Sequence, residues 1–186
     1  HGTSCERVGL MSSLIGEELG MDARHVDLIR RTGPLHDVGK IGIQDSILRK
    51  PGRLTDEEFT LIQAHILIGE QILGSSRHEV LKVAAKIARA HHEKWDGSGY
   101  PDALSGDRIP IEARIVAVAD VFDVITHARP YKGAMPPDEA MAELNRCSGS
   151  HFDPTVVRAF EAMYAREGID GIHAMADPIH PLADLN

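Results

Sequence analysis

Apolar residues recur at helical spacing along most of the chain. Val8, Met11, Ile15 and Leu19 form one stripe, closed by Gly20, and predict a first helix. Asp22 opens a second pattern through Val26, Ile29 and Leu35. Pro34 removes a backbone donor inside it, which predicts a kink just before His36. Gly39 and Gly42 mark a loop. Thr55, with Glu58 three residues on, reads as a capping box opening a helix through Leu61, Ile62, Ile66, Ile72 and Leu73. Residues 80–92 are apolar nearly all round and predict a buried helix. Gly, Pro and Asp then crowd residues 96–110, which predicts a loop. Ile111–Thr126 reads as a long apolar helix, although its β-branched residues also suit a strand. Pro136 and Pro137 stand where a helix through Met141 and Leu144 begins, and Asp153-Pro154 opens one through Val157, Phe160 and Met163. Beyond Gly168 the apolar positions show no clear period. The expectation is an all-α domain over residues 1–167 with one long ordered loop, and a tail over 168–186 of unassigned structure.

Composition narrows the function classes. The 186 residues are 42% hydrophobic and 26% charged, enough for one sizeable core and too apolar for a disordered chain. No apolar run is long enough to cross a bilayer, and no leader pattern opens the chain. Two cysteines, Cys5 and Cys147, make neither a disulfide framework nor a thiolate zinc site, so a reducing cytoplasm is expected. A net charge of −8 argues against a broad nucleic-acid surface. Eleven histidines against 4% aromatic residues are the departure that needs explaining.

Taken singly, the histidines have ordinary accounts. His36 and Asp37, followed by Gly39 and Lys40, suit a polar helix end. His65 lies in register with Leu61, Ile62, Ile66, Gly69 and Ile72, so burying it requires partners for both ring nitrogens. His91 continues the stripe of Val80, Ala84 and Ile87, and His92 that of Leu81, Ala85 and Ala88. Asp120 has apolar neighbours on every side, for which a salt bridge is the ordinary explanation.

Together they point elsewhere. Imidazole and carboxylate ligands without thiolate suit Fe, Mn, Zn or Co. His36, Asp37, His65, His91, His92 and Asp120 exceed what one tetrahedral ion needs, and a carboxylate such as Asp37 can bridge two. A binuclear centre clamps a phosphate and acidifies water, so the expected chemistry is metal-assisted phosphoester hydrolysis.

These residues also form a recognisable pattern. His36-Asp37-Val-Gly-Lys40, His65, His91-His92-Glu-Lys-Trp95-Asp96-Gly97-Ser-Gly99-Tyr100-Pro101 and Asp120 resemble the HD-GYP domain family, as do Arg129-Pro-Tyr-Lys132 and His151-Phe152-Asp153-Pro154. The resemblance runs from about Arg7 to Phe160. It implies an HD-domain helical bundle with an ordered GYP loop, acting in bacterial signalling. The implied activity is a metal-dependent phosphodiesterase that opens cyclic di-GMP to linear pGpG through a metal-bridging hydroxide, with onward hydrolysis to GMP left open. His36, Asp37, His65, His91, His92 and Asp120 fall on the family's metal ligands, for two divalent ions, Fe or Mn. Asp37 and Lys40 fall on catalytic positions, Lys40 contacting a phosphate. Tyr100 falls on a residue lining the guanine-nucleotide site, and Arg129 and Lys132 on cations that hold substrate phosphates. The usual setting is fusion to a receiver or sensory domain; homodimerisation stays open. Trp95 is expected to anchor the loop on the core, and His151 to belong to a structural turn.

One position departs from the pattern. Ser4 stands where most of the family has a histidine before the first helix, and the glutamate four residues earlier would precede residue 1. This removes a ligand from any third metal, with His1 one turn away as a substitute. On that ground a second reading is a degenerate module that binds nucleotide or a protein without turnover; a third, independent of Ser4, is an HD phosphohydrolase of another nucleotide.

Overall fold

A computed structural model describes residues 3–127 and 133–176, and these are helical with no strand; short bridges pair only Asp96 with Ser105 and Ser148 with Phe152. Helix α1 (Ser4–Glu18) begins at Thr3, which trades hydrogen bonds with Glu6 in a capping box. The chain leaves it at Gly20, whose φ of +74° favours glycine. Asp22 caps α2 (Ala23–Thr32) by accepting from the His25 amide at 2.9 Å. The second pattern does not stay α-helical to Leu35. Without a donor at Pro34, the chain tightens into a 3-10 turn, Gly33–Leu35. The loop expected around Gly39 and Gly42 is another 3-10 segment, Val38–Gly42.

After the short α3 (Asp45–Leu48), Thr55 opens α4 (Asp56–Gly74) with the predicted box. Its Oγ1 accepts from the Glu58 amide at 3.2 Å, and the Glu58 carboxylate accepts from the Thr55 amide at 2.8 Å. Helix α5 (Glu79–Ala90) ends with His91 as its C-cap, so His92 lies outside the helix. Residues 96–110 form the expected loop, interrupted by the 3-10 turn Gly106–Arg108. Helix α6 (Ile111–Thr126) takes the helical option over the strand. Alanines 113, 117 and 119 let it pass between neighbours, and it is buried on most sides. Helices α7 (Pro137–Arg146) and α8 (Pro154–Ala176) complete the bundle.

The main core joins Val8, Met11 and Ile15 of α1 to Ile115, Val116 and Phe122 of α6, and to Val157, Phe160 and Met163 of α8. Alanines 84, 85 and 88 of α5 pack with Leu73 of α4 in a second cluster. Residues 169–176 carry structure that the sequence leaves unassigned. After a break at Gly168 (φ +66°), they turn back as helix and bury Ile172 and Ala176 in the main core. The core contacts of this stretch, Ile169, Ile172 and Ala176, span too short a run to announce a helix by period alone. None of the helices described is long and apolar enough to cross a membrane.

Candidate metal centre

Four segments bring polar side chains together at one cluster. The 3-10 stretch brings His36, Asp37 and Lys40, α4 brings His65, the end of α5 brings His91 and His92, and α6 brings Asp120. Close backbone packing makes the meeting possible. A Cβ on Gly39 would stand 1.9 Å from the His65 carbonyl oxygen and 2.5 Å from the Gly69 nitrogen. Residue 39 must therefore be glycine for the Asp37 turn to lie flat on α4.

Asp37 faces two ways. Its Oδ1 lies 3.3 Å from His65 Nε2 and 3.6 Å from His91 Nε2. Its Oδ2 lies 3.4 Å from His36 Nε2, which is itself 3.4 Å from Asp120 Oδ1. Lys40 Nζ donates to the same Oδ2 at 2.5 Å, with the lysine side chain 42% exposed. One ligand atom from each of Asp37, His65, His91 and His92 lies within 4.8 Å of the others. His36, Asp37 and Asp120 form a second group that shares Asp37 with the first.

The imidazole orientation is set by the backbone. His36 Nδ1 donates to Gly33 O at 2.7 Å, His65 Nδ1 to Ile62 O at 2.5 Å, and His91 Nδ1 to Ala88 O at 3.0 Å. With Nδ1–H committed, each Nε2 presents its lone pair to the centre. His36 Nε2, His65 Nε2, His91 Nε2 and Asp37 Oδ1 are all buried without a hydrogen-bond partner. Lone pairs facing each other across 3.3–3.6 Å require a cation or a proton between them. Two metal–ligand bonds of about 2.1 Å at ordinary coordination angles span roughly 3.0–3.5 Å. The donor set and its spacing fit divalent first-row ions.

Electrostatics favour the same occupant. Burial opposes charge on His36, but the Asp120 and Asp37 carboxylates outweigh it and push the pKa up to about 10. Burial likewise opposes the Asp37 carboxylate, yet His36, His65 and His91 hold it well below the usual range. Asp120 is lowered against its burial by His36. Burial pulls His91 down, and it pulls His92 to about 3 with help from His91 and His65. Burial thus keeps His91 and His92 neutral while Asp37 and Asp120 stay ionised, the forms that bind metal, and the raised His36 marks a place where the two carboxylates call for a cation.

The GYP loop is fastened beside this cluster. A Cβ on Gly99 would stand 2.4 Å from the Lys94 nitrogen, and the Tyr100 amide donates to His92 O at 3.3 Å. Tyr100 consequently stacks on His92, ring centroids 5.0 Å apart and planes 17° from parallel. Burial, with the Asp37 charge, raises the Tyr100 hydroxyl to about 12. Glu93, which sequence reasoning passed over, is buried and accepts from the amides of Asp102 at 2.7 Å and Leu104 at 2.9 Å. A charged residue between paired histidines and a Gly-rich loop was its only signal. Trp95 sits away from the cluster, against the Arg114 guanidinium at 5.9 Å, and its amide donates to His151 O at 3.0 Å. His151 stacks on the buried Phe152 with ring centroids 4.1 Å apart.

Ser4 is turned to another partner. Its Oγ donates to Asp123 Oδ2 at 2.5 Å, and Arg7 Nε donates to Asp123 Oδ1 at 2.6 Å, one turn past Asp120 on α6. Arg129, Lys132 and His1 lie outside the described residues.

Comparison with known proteins agrees with this geometry. The HD domain family model matches residues 3–156. The cyclic di-GMP phosphodiesterase response regulator RpfG of Xanthomonas campestris is 49% identical over 160 residues, covering 85% of this chain and 42% of that protein. A cyclic di-GMP phosphodiesterase of Thermotoga maritima is 51% identical over 155 residues, covering 83% and 42%. The chain therefore spans about two fifths of the length of these curated relatives. A crystal structure of a cyclic GMP-AMP specific phosphodiesterase from V. cholerae shares the fold at a TM-score of 0.69 and 20% identity, covering 94% of this chain and 46% of that one.

Proposed function

We propose a function from one premise: this chain belongs to the HD domain family, in its HD-GYP branch. It is a metal-dependent phosphodiesterase that opens cyclic di-GMP to linear pGpG. The observation that carries this reading is the Asp37 carboxylate, with orphaned imidazole nitrogens facing both of its oxygens. His36, Asp37 and Asp120 would hold one divalent ion, and Asp37, His65, His91 and His92 another, with Fe or Mn as the ions. The chemistry such ions supply is Lewis-acid polarisation of the phosphodiester and acidification of water.

The remaining steps belong to the chain's own residues. The Nδ1 hydrogen bonds hold His36, His65 and His91 in the binding tautomer before substrate arrives. Lys40, half exposed beside Asp37, extends a cation to a phosphate oxygen. Tyr100 lines the place for a guanine base, and Arg129 and Lys132 hold substrate phosphates. Curated relatives at about half identity that are named cyclic di-GMP phosphodiesterases support the substrate. One of them is a response regulator, which supports control by a regulatory domain alongside this one.

Incubation with cyclic di-GMP and Mn²⁺ or Fe²⁺ tests the reading, and pGpG is the expected product. Dinucleotide that binds but stays intact with both metals would overturn it in favour of a binding module. A panel including 3′3′-cGAMP and pGpG separates it from a phosphohydrolase of another nucleotide.

A further inference from the structure

The aromatic contacts at the metal centre continue one ring beyond Tyr100. Phe59, on the first turn of α4, meets Tyr100 edge to face, with centroids 6.1 Å apart and planes 80° from parallel. Tyr100 in turn has its other contact on His92. Phe59 is 46% exposed, although removing such a ring from water is favourable. The neighbouring residue on that turn has a plain structural task. Glu58 completes the capping box and takes the Lys50 ammonium at 2.6 Å. Among the described residues, the aromatic contact of the Phe59 ring is the one with Tyr100.

The arrangement suits a flat ligand. Two rings at nearly a right angle form a corner, and a heteroaromatic plane stacked on one presents its edge to the other, the two favoured aromatic geometries. The same helix carries Phe59 and His65, six residues apart. That separation is a rise of about 9 Å, a length of the order of one nucleotide. A base at the corner would thus leave its phosphate near the ligand cluster.

We propose that the exposed face of Phe59 stacks a purine base of the dinucleotide, making Phe59 a substrate-binding residue of this site. The inference rests on the cyclic dinucleotide reading above and names one of its contacts. Every base has a π-face, so stacking raises affinity without choosing guanine over adenine. Phe59 therefore serves cyclic di-GMP and 3′3′-cGAMP alike, and discrimination between them falls to polar groups elsewhere.

The test compares Phe59→Ala, Phe59→Leu and Phe59→Trp with the wild-type chain, each checked for folding by thermal unfolding and for metal content. Calorimetric Kd and steady-state KM are measured for both dinucleotides. Ribose 5-phosphate, which has a phosphate and no base, serves as competitor. Phe59→Ala and Phe59→Leu should weaken both dinucleotides about 5- to 30-fold, the lower part of the range for one stacked base. Phe59→Trp should match or tighten the wild-type affinity, and the ribose 5-phosphate Ki should be the same in all four proteins. Wild-type affinity in Phe59→Ala would overturn the proposal. So would wild-type affinity in Phe59→Leu, which shows that apolar bulk suffices, or a parallel loss for ribose 5-phosphate, which shows a distorted site. If the wild-type chain itself binds no cyclic dinucleotide, the functional reading fails first and the stacking contact with it.

Discussion

The backbone at Gly39 lies so close to His65 that a Cβ there would stand 1.9 Å from the His65 carbonyl oxygen. That approach sets Asp37 against the imidazole of His65, 3.3 Å from carboxylate to Nε2. Gly39→Ala should therefore act on the site as well as on stability. Overpacking against rigid backbone costs about 3 kcal/mol, the upper part of the usual range. A lower Tm with metal affinity reduced in the same variant is the expected result, by thermal unfolding and metal titration. Gly20→Ala, where a Cβ meets nothing within 4 Å, separates the steric effect from the strain of a positive φ. It should lower Tm without altering metal affinity.

His65→Ala removes one lone pair from the Asp37–His91–His92 group and leaves a small cavity. Metal affinity should fall more than 10-fold, the scale known for lost supporting contacts and a lower bound for a ligand. Dinucleotide hydrolysis should be abolished. Unchanged metal content in a folded His65→Ala protein would place the centre elsewhere.

Glu93→Ala tests the loop anchor. Its carboxylate takes two backbone amides, those of Asp102 and Leu104. Leaving such donors without an acceptor costs about 1–3 kcal/mol each where water cannot replace it. Tyr100 should lose its fixed position over His92, so KM rises while metal content is retained. Equal KM in Glu93→Ala and wild type would show that the loop holds without it.

Stability of the metal-free chain should depend on pH in two windows. The His36 pKa is raised to about 10 from an ordinary 6.5. Its contribution is therefore complete below pH 6.5 and lost as pH rises towards 10. The His92 pKa is lowered to about 3, so stability also declines as pH falls from 6.5 towards 3, where only the unfolded chain takes up the proton. Chelator-treated protein should thus be most stable near neutrality. On the alkaline side each 1 kcal/mol lost lowers Tm by about 2–4 °C for a domain of this size. Saturating Mn²⁺ or the substitution His36→Gln should flatten the slope between pH 7 and 10. An identical slope in His36→Gln would assign it to another group.

How much of this could be read beforehand depends on how local the cause is. The Thr55–Glu58 box and the Asp22 cap lie within four residues, and the helices they open are where the sequence puts them. Pro34 announced an interruption; whether the chain would kink or tighten into a 3-10 turn depended on packing against α1, where Gly9 meets the Pro34 ring. The helical return after Gly168 depends on Ile172 reaching a core built from distant segments, and no short window shows that. At the centre, His65, His91 and His92 extend apolar stripes and are costly to bury without a partner, so the pattern alone marks them as candidate ligands. The division of Asp37 between two sets of nitrogens was not visible, because it comes from three segments meeting. Glu93 and Phe59 escaped for a related reason. An acid and an aromatic ring each look ordinary until the loop they face is in place.

The central claim is that Asp37 joins two metal positions in a working phosphodiesterase. The most direct measurement is metal stoichiometry and cyclic di-GMP turnover on one anaerobically purified sample, with Asp37→Asn alongside. The account predicts two ions per wild-type chain with pGpG released, and loss of both in the folded variant. A wild-type chain that binds less than one ion and leaves cyclic di-GMP intact with Mn²⁺ and Fe²⁺ supplied would contradict it.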